Sequence, residues 1–189
     1  MSDATIVVCD ANVLYSIVMT DLIISLGSVG LFRPRWTRQI HDEWMRNLLA
    51  NRSELDSTKI ERRRQQMDAT IDDCLIESYE HLIPRLSLPD QDDRHVLAAA
   101  IHGKAQVILT YNLRHFPKKA LAPCEITAQA PDTLLTALTE RFPSEVGDVL
   151  EKMRARKTRP AITQDEMLRK IENQRLPQFV AKLRAMGLT

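Results

Sequence analysis

The chain has 189 residues, of which 44% are hydrophobic and 27% are charged, and its formal net charge is +1 at pH 7. This length and composition exclude a disordered chain and a small fold that needs disulfides or a metal in place of a core. The net charge near zero excludes a protein whose whole surface attracts polyanions, so any binding of nucleic acid must depend on local patches.

Cysteine usage and hydropathy predict a cytoplasmic protein without membrane association. Cys9, Cys74 and Cys124 are far apart and form no C-x-x-C pair, so we expect reduced thiols rather than a disulfide framework or a zinc cluster. The apolar stretch at residues 11–26 contains several polar residues, whereas a membrane-spanning helix needs about 20 apolar residues. The first residues do not have the pattern of a signal peptide.

In the first half of the chain, apolar spacing predicts one strand followed by helices. Residues 5–8 (TIVV) form a β-branched run that is typical of a buried parallel strand. Helices are predicted at residues 13–18, at 21–26, after the N-cap Thr37, and from Asp56 or Ser57 to about 76.

The second half of the chain supplies two more predicted strands. Residues 96–101 are consecutively apolar, which favours a helix buried on most sides, and residues 107–109 follow as a second buried strand. A third strand is predicted at 125–128, and a helix begins at Pro131. This order of elements predicts an α/β fold with a short central parallel sheet flanked by helices.

The composition also predicts two regions. Residues 1–142 contain all the predicted strands and form the α/β domain. Residues 143–189 are polar and basic and show only helical signals, so we predict a helical C-terminal extension.

Polar residues follow the first two predicted strands. Asp10 and Asn12 come after the first strand, and Thr110 and Asn112 come after the second. Because ligands of open α/β sheets bind beyond the carboxyl ends of the strands, we expect these side chains at one edge. Three aspartates within residues 90–93 reach the same edge if the helix that they open begins on that side.

Aspartates gathered at one edge would repel one another unless a cation neutralised them. Mg²⁺ and Mn²⁺ prefer oxygen ligands, and such a site suits hydrolysis of phosphodiester bonds by a metal-activated water. The sequence contains no G-x-S-x-G, cysteine–histidine, Walker or G-x-G-x-x-G signature, which is consistent with chemistry that needs no nucleophilic side chain.

Each acidic residue also has a purely structural interpretation. Asp10 can cap the helix that follows the first strand, and Asp90 with Asp93 has the spacing of a capping box. The spacing of Glu43 within its helix is more typical of a solvated surface residue, and Asn112 alone is typical of a turn. Since one cap does not explain three aspartates, Asp93 is the preferred ligand.

Several segments, taken in order, resemble the motifs of PIN domains. VVCDANVLYS resembles the opening strand with its D-x-N motif, and DEWMRNL resembles the second-helix motif with its glutamate. PDQDDRHVLAAAI and GKAQVILTYNLRHFP resemble the third motif and the closing strand. The resemblance covers residues 5–140, and the helical extension makes the chain similar to VapC-like toxins of toxin–antitoxin pairs.

This resemblance implies an endoribonuclease that uses Mg²⁺ or Mn²⁺ to cleave single-stranded or looped RNA and that a cognate antitoxin holds inactive. It implies that Asp10, Glu43 and Asp93 are the catalytic acids and metal ligands, with Asp92 as a further candidate ligand, and that Asn12 orients the site.

The chain departs from the family pattern near the end of the closing strand. Many relatives carry a further aspartate there, whereas this chain has Asn112 and His115. With less negative charge, the number of bound metals stays open. Thr110 and Asn112 are expected to orient the site, and His115 is more typical of a loop residue.

RNA binding requires cations that offset the repulsion between an acidic pocket and phosphate. Arg38, Arg94 and Arg114 flank the motifs and are the predicted RNA-binding residues. The apolar early helices predict either a homodimer face or a groove for an amphipathic antitoxin helix.

Two rival functions remain open from the residues. A haloacid-dehalogenase-like phosphatase also places an aspartate after its first strand, but it needs D-x-D where this chain has Asp10-Ala11-Asn12. A PIN-like module that binds RNA or a protein without cleavage is kept open by the neutral Asn112.

Overall fold

Four short parallel strands form one sheet in this computed structural model, which describes residues 4–188. The strands are β1 (Ile6–Cys9), β2 (Arg33–Arg35), β3 (Val107–Leu109) and β4 (Thr127–Gln129). Their order across the sheet is β2-β1-β3-β4, and all three pairings are parallel. The predicted α/β fold with a short parallel sheet between helices is therefore confirmed.

Helices cover the sheet and make up the C-terminal region. Within residues 4–188 the α-helices are α1 (Ala11–Leu14), α2 (Ile17–Ser28), α3 (Arg38–Asn51), α4 (Ser57–Thr70), α5 (Arg94–His102), α6 (Lys118–Leu121), α7 (Pro131–Arg141), α8 (Pro143–Ala155), α9 (Gln164–Glu172) and α10 (Pro177–Ala185). Short 3₁₀ helices span Glu80–Arg85, Leu113–His115 and Ala122–Cys124. None of the helices in this range has both the length and the apolar character required to cross a bilayer.

Strand β2 is not predicted by the sequence, because Arg-Pro-Arg has neither β-branched residues nor apolar alternation. It forms because residues 33–35 pair with residues 6–8 of β1. Pro34 lacks a backbone N–H, and this defect is tolerated because β2 is at the edge of the sheet. The strand therefore depends on a tertiary pairing and not on local propensity.

Helix boundaries also differ from the expected ones in two places. The helical region after β1 breaks at residues 15–16, where Ser16 caps α2 by accepting a hydrogen bond from the Met19 N–H at 3.4 Å. Helix α4 ends at Thr70 instead of continuing to residue 76, and Leu75 instead forms a parallel bridge with Trp36. In both places a side-chain cap or a sheet contact replaces the helical hydrogen bonds.

Helix α5 begins at the carboxyl edge of the sheet. Only residues 103–106 separate its C-terminus from β3, so α5 runs antiparallel to that strand. Gly103 follows its last turn and donates its backbone N–H to the Ala99 carbonyl at 2.8 Å. The N-terminus of α5 therefore lies beside the carboxyl ends of β1 and β3, which brings Asp93 to the edge where Asp10 lies.

A buried hydrogen-bond network attaches α3 to α4. The Asp68 carboxylate accepts hydrogen bonds from Trp36 Nε1 at 2.8 Å, His41 Nε2 at 2.9 Å and Arg64 at 2.8 Å. Trp44 Nε1 donates to His41 Nδ1 at 2.9 Å, so the neutral ring carries its proton on Nε2, and burial lowers the pKa of His41. The network sets the orientation of α3.

The C-terminal helices pack onto the same core as the sheet. Apolar side chains of α8, α9 and α10, including Met153, Leu168 and Phe179, belong to that core. Asp132 of α7 is buried and accepts hydrogen bonds from the backbone N–H groups of Gln178 and Phe179 at the start of α10. The predicted domain boundary at residue 142 stays a prediction.

Candidate active site

A pocket of about 510 Å³ opens at the carboxyl edge of the sheet. Its wall contains three carboxylates, one arginine and several carboxamides. The carboxylates are Asp10, Glu43 and Asp93, the arginine is Arg175, and the carboxamides are Asn12, Asn47, Asn51, Asn112, Asn173 and Gln174. The three acids that lie far apart in the sequence therefore share one pocket.

Asp10 is only 2% exposed and is held by two neutral donors. Its Oδ2 atom accepts hydrogen bonds from Asn12 Nδ2 and from Thr110 Oγ1, both at 2.6 Å. Although Asp10 is the N-cap residue of α1, its side chain makes no capping hydrogen bond, so the structural interpretation of this residue is wrong.

The Asp10 carboxyl group has a raised pKa of about 6. Burial is the main cause, because it disfavours the charged form, and the nearby charges of Asp93 and Glu43 act in the same direction. The hydrogen bond from Thr110 opposes the shift. Asp10 is therefore a buried carboxyl group whose charged form is disfavoured by its surroundings.

Asn12 and Thr110 join the ends of β1 and β3 around Asp10. Asn12 Oδ1 accepts from the Tyr111 N–H at 3.0 Å, and Asn12 Nδ2 donates to Thr110 Oγ1, also at 3.0 Å. Thr110 Oγ1 in turn accepts from the Asn112 N–H at 2.9 Å. The structure places all three predicted orienting residues in this network, although Asn112 enters it through its backbone.

Glu43 reaches the pocket from α3 and is 32% exposed in its side chain. Its Oε2 lies 3.4 Å from Nε2 of His95, which is buried on α5. His95 Nδ1 has no hydrogen-bond partner among the described residues. Sequence reasoning missed His95, and the available signal was its position at the start of the apolar run of α5.

Asp93 lies at the first turn of α5 and forms no side-chain cap. Its Oδ2 is 2.6 Å from His115 Nδ1, and Asp90 Oδ2 is 3.6 Å from the same nitrogen. Burial raises the pKa of Asp93, and the hydrogen bond from His115 opposes that shift. Among the described residues, Asp90, Asp93 and His115 form a group whose ligand atoms all lie within 4.8 Å of one another.

Asp92 is exposed and is not part of the pocket wall. Its backbone N–H donates to Asp90 Oδ1 at 3.0 Å, so Asp90 closes a local turn rather than the capping box that its spacing from Asp93 would allow. Of Asp90, Asp92 and Asp93, only Asp93 lines the pocket.

The three arginines predicted to bind RNA lie outside the pocket wall. Arg94 Nε donates to the Gln91 carbonyl at 2.9 Å, Arg38 is 3.6 Å from Glu77, and Arg114 lines a neighbouring depression beside His115. Arg175, which the sequence analysis did not select, lies on the wall instead. Arg175 was missed because it lies in a polar loop, where hydrophobic periodicity does not single out any residue.

The pocket offers oxygen ligands of the kind that a hard divalent cation prefers, although the ligand atoms of Asp10, Glu43 and Asp93 do not form a group within 4.8 Å as those of Asp90, Asp93 and His115 do. Asp10, Glu43 and Asp93 offer carboxylate oxygens, and His115 adds an imidazole next to Asp93. Burial, and to a lesser extent the charges of Asp93 and Glu43, disfavour the charged form of the Asp10 carboxyl group, and a cation bound beside it would favour that form.

Two family comparisons match most of the chain. Residues 6–114 match the PIN domain, and residues 131–185 match the VapC50 C-terminal domain. A curated relative, named "Putative ribonuclease VapC50" from Mycobacterium tuberculosis, is 39% identical over 94 residues. The aligned part is 50% of this chain and 55% of the relative, so the chain spans about half the length of the curated relative it matches.

No solved structure matches the chain. The PIN-domain match alone covers more than half of the 189 residues, and it includes Asp10, Glu43 and Asp93. The chain therefore belongs to the PIN-domain family, as a VapC-like member with a VapC50-type C-terminal domain.

Proposed function

We propose that the protein is a cytoplasmic, metal-dependent endoribonuclease that cleaves RNA phosphodiester bonds and acts as the toxin of a toxin–antitoxin pair. The observation that carries this proposal is the meeting of Asp10, Glu43 and Asp93 in one pocket, with Asp10 buried beside the other two charges. The family membership and the name of the curated relative support the same activity.

In this proposal Asp10, Glu43 and Asp93 hold Mg²⁺ or Mn²⁺, and His115 is a further candidate ligand. A divalent cation in this position would acidify a water and neutralise charge on the phosphate. Asn12 and Thr110 fix the Asp10 carboxylate by hydrogen bonds, while His95 positions Glu43.

The carboxamides of the wall supply contacts for the nucleotide. Amide groups donate and accept hydrogen bonds, so the exposed Asn47, Asn51 and Asn112 can contact ribose hydroxyls and the edges of an unpaired base. A base inside a duplex would be hidden from them. This argument favours single-stranded or looped RNA as the substrate.

The test is cleavage of an end-labelled RNA that contains a hairpin and single-stranded flanks. We expect the full chain to cut the unpaired regions with Mn²⁺ or Mg²⁺, and EDTA or Asp10→Asn to abolish cutting. Asp148→Asn is the matched control, because Asp148 is exposed on α8 and does not line the pocket. Equal cutting by Asp10→Asn and the unchanged chain would disprove the proposal.

The neutral Asn112 on the wall favours one second candidate, a module that binds RNA without cleaving it. In that case the RNA would bind and stay intact with either metal. A small phosphate ester added in parallel tests the phosphatase alternative, which the family membership disfavours. Hydrolysis of the ester without RNA cleavage would support it.

An antitoxin partner is the second part of the proposal. A groove of about 450 Å³ between α2 and the C-terminal helices has an apolar floor that includes Ile17, which is 67% exposed. Arg159 and Lys170 lie at this groove, and no ion pair with either forms among residues 4–188. An acidic amphipathic helix of the antitoxin complements that combination.

The partner is tested by growth of a bacterial host. We expect the unchanged chain to arrest growth and co-expression of its cognate antitoxin, sought in the reading frames next to its gene, to restore growth. Ile17→Glu should keep the arrest and lose the rescue, because a carboxylate would enter the apolar contact. If Ile17→Glu is rescued fully, the groove is not the antitoxin site, and sedimentation of the chain alone then tests whether it is a homodimer face.

A further inference from the structure

Among residues 4–188, one cationic side chain lies on the wall of the acidic pocket, and it comes from the C-terminal domain. Arg175 lies between α9 and α10, in the segment that matches the VapC50 C-terminal domain. The three acids come from the PIN domain. The pocket is therefore built jointly by the two matched regions.

Two contacts hold the Arg175 loop against the PIN domain. The guanidinium carbon lies 5.6 Å from the centre of the Tyr111 ring, and the Tyr111 hydroxyl donates to the Gln174 carbonyl at 2.6 Å. Tyr111 follows β3 directly and is fixed by its backbone N–H bond to Asn12. The position of Arg175 is thus tied to the network around Asp10.

The backbone of Arg175 is in the left-handed region, with a φ of 61°. A residue with a Cβ adopts this conformation at a cost of about 1 kcal/mol, and here it closes the turn after α9, where the Leu176 N–H donates to the Glu172 carbonyl at 3.3 Å. Glycine would avoid that cost but would leave the wall without a cation.

Arg175 is exposed and forms no ion pair within residues 4–188. Apart from its contact with the Tyr111 ring, the charge of Arg175 is therefore left for a ligand. Phosphate that approaches Asp10, Glu43 and Asp93 meets negative potential, and a guanidinium at the rim offsets part of it. Guanidinium also matches phosphate geometrically, because it donates two parallel hydrogen bonds.

We infer that Arg175 binds a phosphate of the RNA strand next to the bond that is cut, so that the C-terminal domain completes the substrate site. The inference rests on the proposed nuclease function. Asn173 and Gln174, the neighbours of Arg175 on the wall, supply hydrogen bonds to the same stretch of backbone. Arg175 is a substrate-binding residue in this scheme and takes no part in proton transfer.

The test measures the affinity for a fluorescently labelled single-stranded RNA by fluorescence anisotropy. Ca²⁺ replaces Mg²⁺ in this assay, and a gel verifies that the RNA stays intact. We expect Arg175→Ala to weaken binding about tenfold, as for loss of one charge-assisted hydrogen-bonded contact. The plot of log binding constant against log salt concentration should become shallower by about 0.7, which corresponds to the loss of one phosphate contact. Arg175→Lys should keep the slope of the unchanged chain.

Arg184→Ala is the matched control, because Arg184 is an exposed arginine of α10 that does not line the pocket. It should bind RNA as the unchanged chain does. If Arg175→Ala lowers the unfolding temperature, Arg175→Gln, which keeps most of the reach without the charge, replaces it.

The outcomes separate the two proposals. If Arg175→Ala binds RNA with the same affinity and the same salt dependence as the unchanged chain, the inference about Arg175 is overturned. The nuclease proposal still stands in that case, provided that the unchanged chain cleaves RNA. Tighter binding or faster cleavage in that variant also overturns it, because the guanidinium would then obstruct the pocket. No RNA binding by the unchanged chain overturns both.

Discussion

Asp10 and Asp68 are two largely buried aspartates with opposite surroundings. Asp68 accepts hydrogen bonds from Trp36, His41 and the cationic Arg64, so its charge is satisfied by the fold. Asp10 receives only neutral donors and lies near Glu43 and Asp93. The difference teaches that burial alone does not identify a functional carboxylate. The sign of the surrounding charge does.

The largest expected effect is on stability at Asp68. Asp68→Ala leaves the fully buried Trp36 Nε1 and His41 Nε2 without their acceptor, and each unsatisfied donor costs about 1–3 kcal/mol. We expect the free energy of unfolding to fall by about 3 kcal/mol in urea denaturation at pH 7. A fall below about 1 kcal/mol would show that the network does not hold α3 in place.

In the metal-free protein, Asp10→Asn should raise the free energy of unfolding, whereas Asp68→Ala lowers it. The folded pKa of about 6 exceeds the ordinary value of 3.8, so folding must bury an unfavourable charge above pH 6. Neutral asparagine removes that cost, which is on the order of 3 kcal/mol. In EDTA at pH 7 the variant should be more stable than the unchanged chain.

The pH dependence checks this assignment. The cost is absent well below pH 3.8, where the carboxyl group is protonated in both the folded and unfolded states, and it grows as the pH rises towards 6. The stability difference between Asp10→Asn and the unchanged chain should therefore vanish at low pH. A difference that stays constant from pH 4 to 7 would contradict a titrating Asp10.

A divalent cation should reverse the advantage of Asp10→Asn. Binding at a concentration of 100 times Kd stabilises a protein by about 2.7 kcal/mol, which raises the melting temperature of a chain of this size by about 5–11 °C. We expect Mn²⁺ to produce this rise in the unchanged chain and in Asp148→Asn, and not in Asp10→Asn. Calorimetric scans with and without Mn²⁺ measure it.

The smallest expected effect concerns the C-terminal domain. Asp132→Ala removes the acceptor for the N–H groups of Gln178 and Phe179, which should cost about 1 kcal/mol. Since α10 begins just after Arg175, the loop should loosen and RNA binding should weaken by less than in Arg175→Ala. Hydrogen exchange at residues 173–179 reports the loosening, and unchanged exchange there would argue against the coupling.

Much of the site follows from local pattern. Asp10 and Asn12 directly follow a buried β-branched strand, and Thr110 follows a second, so their meeting at one edge could be predicted from parallel pairing alone. Asp93 could be selected because it opens the helix that leads into β3. The roles of these residues as ligands stay predictions.

Other parts were decided only by tertiary structure. Glu43 has the spacing of a surface residue, and it reaches the pocket because the Asp68 network orients α3. Strand β2 exists because β1 pairs with it, and Arg175 lies near Asp10 because Tyr111 and α10 hold its loop there. Hydrophobic periodicity reports which face of one element is buried; it carries no information about which distant elements touch, and those contacts completed the pocket.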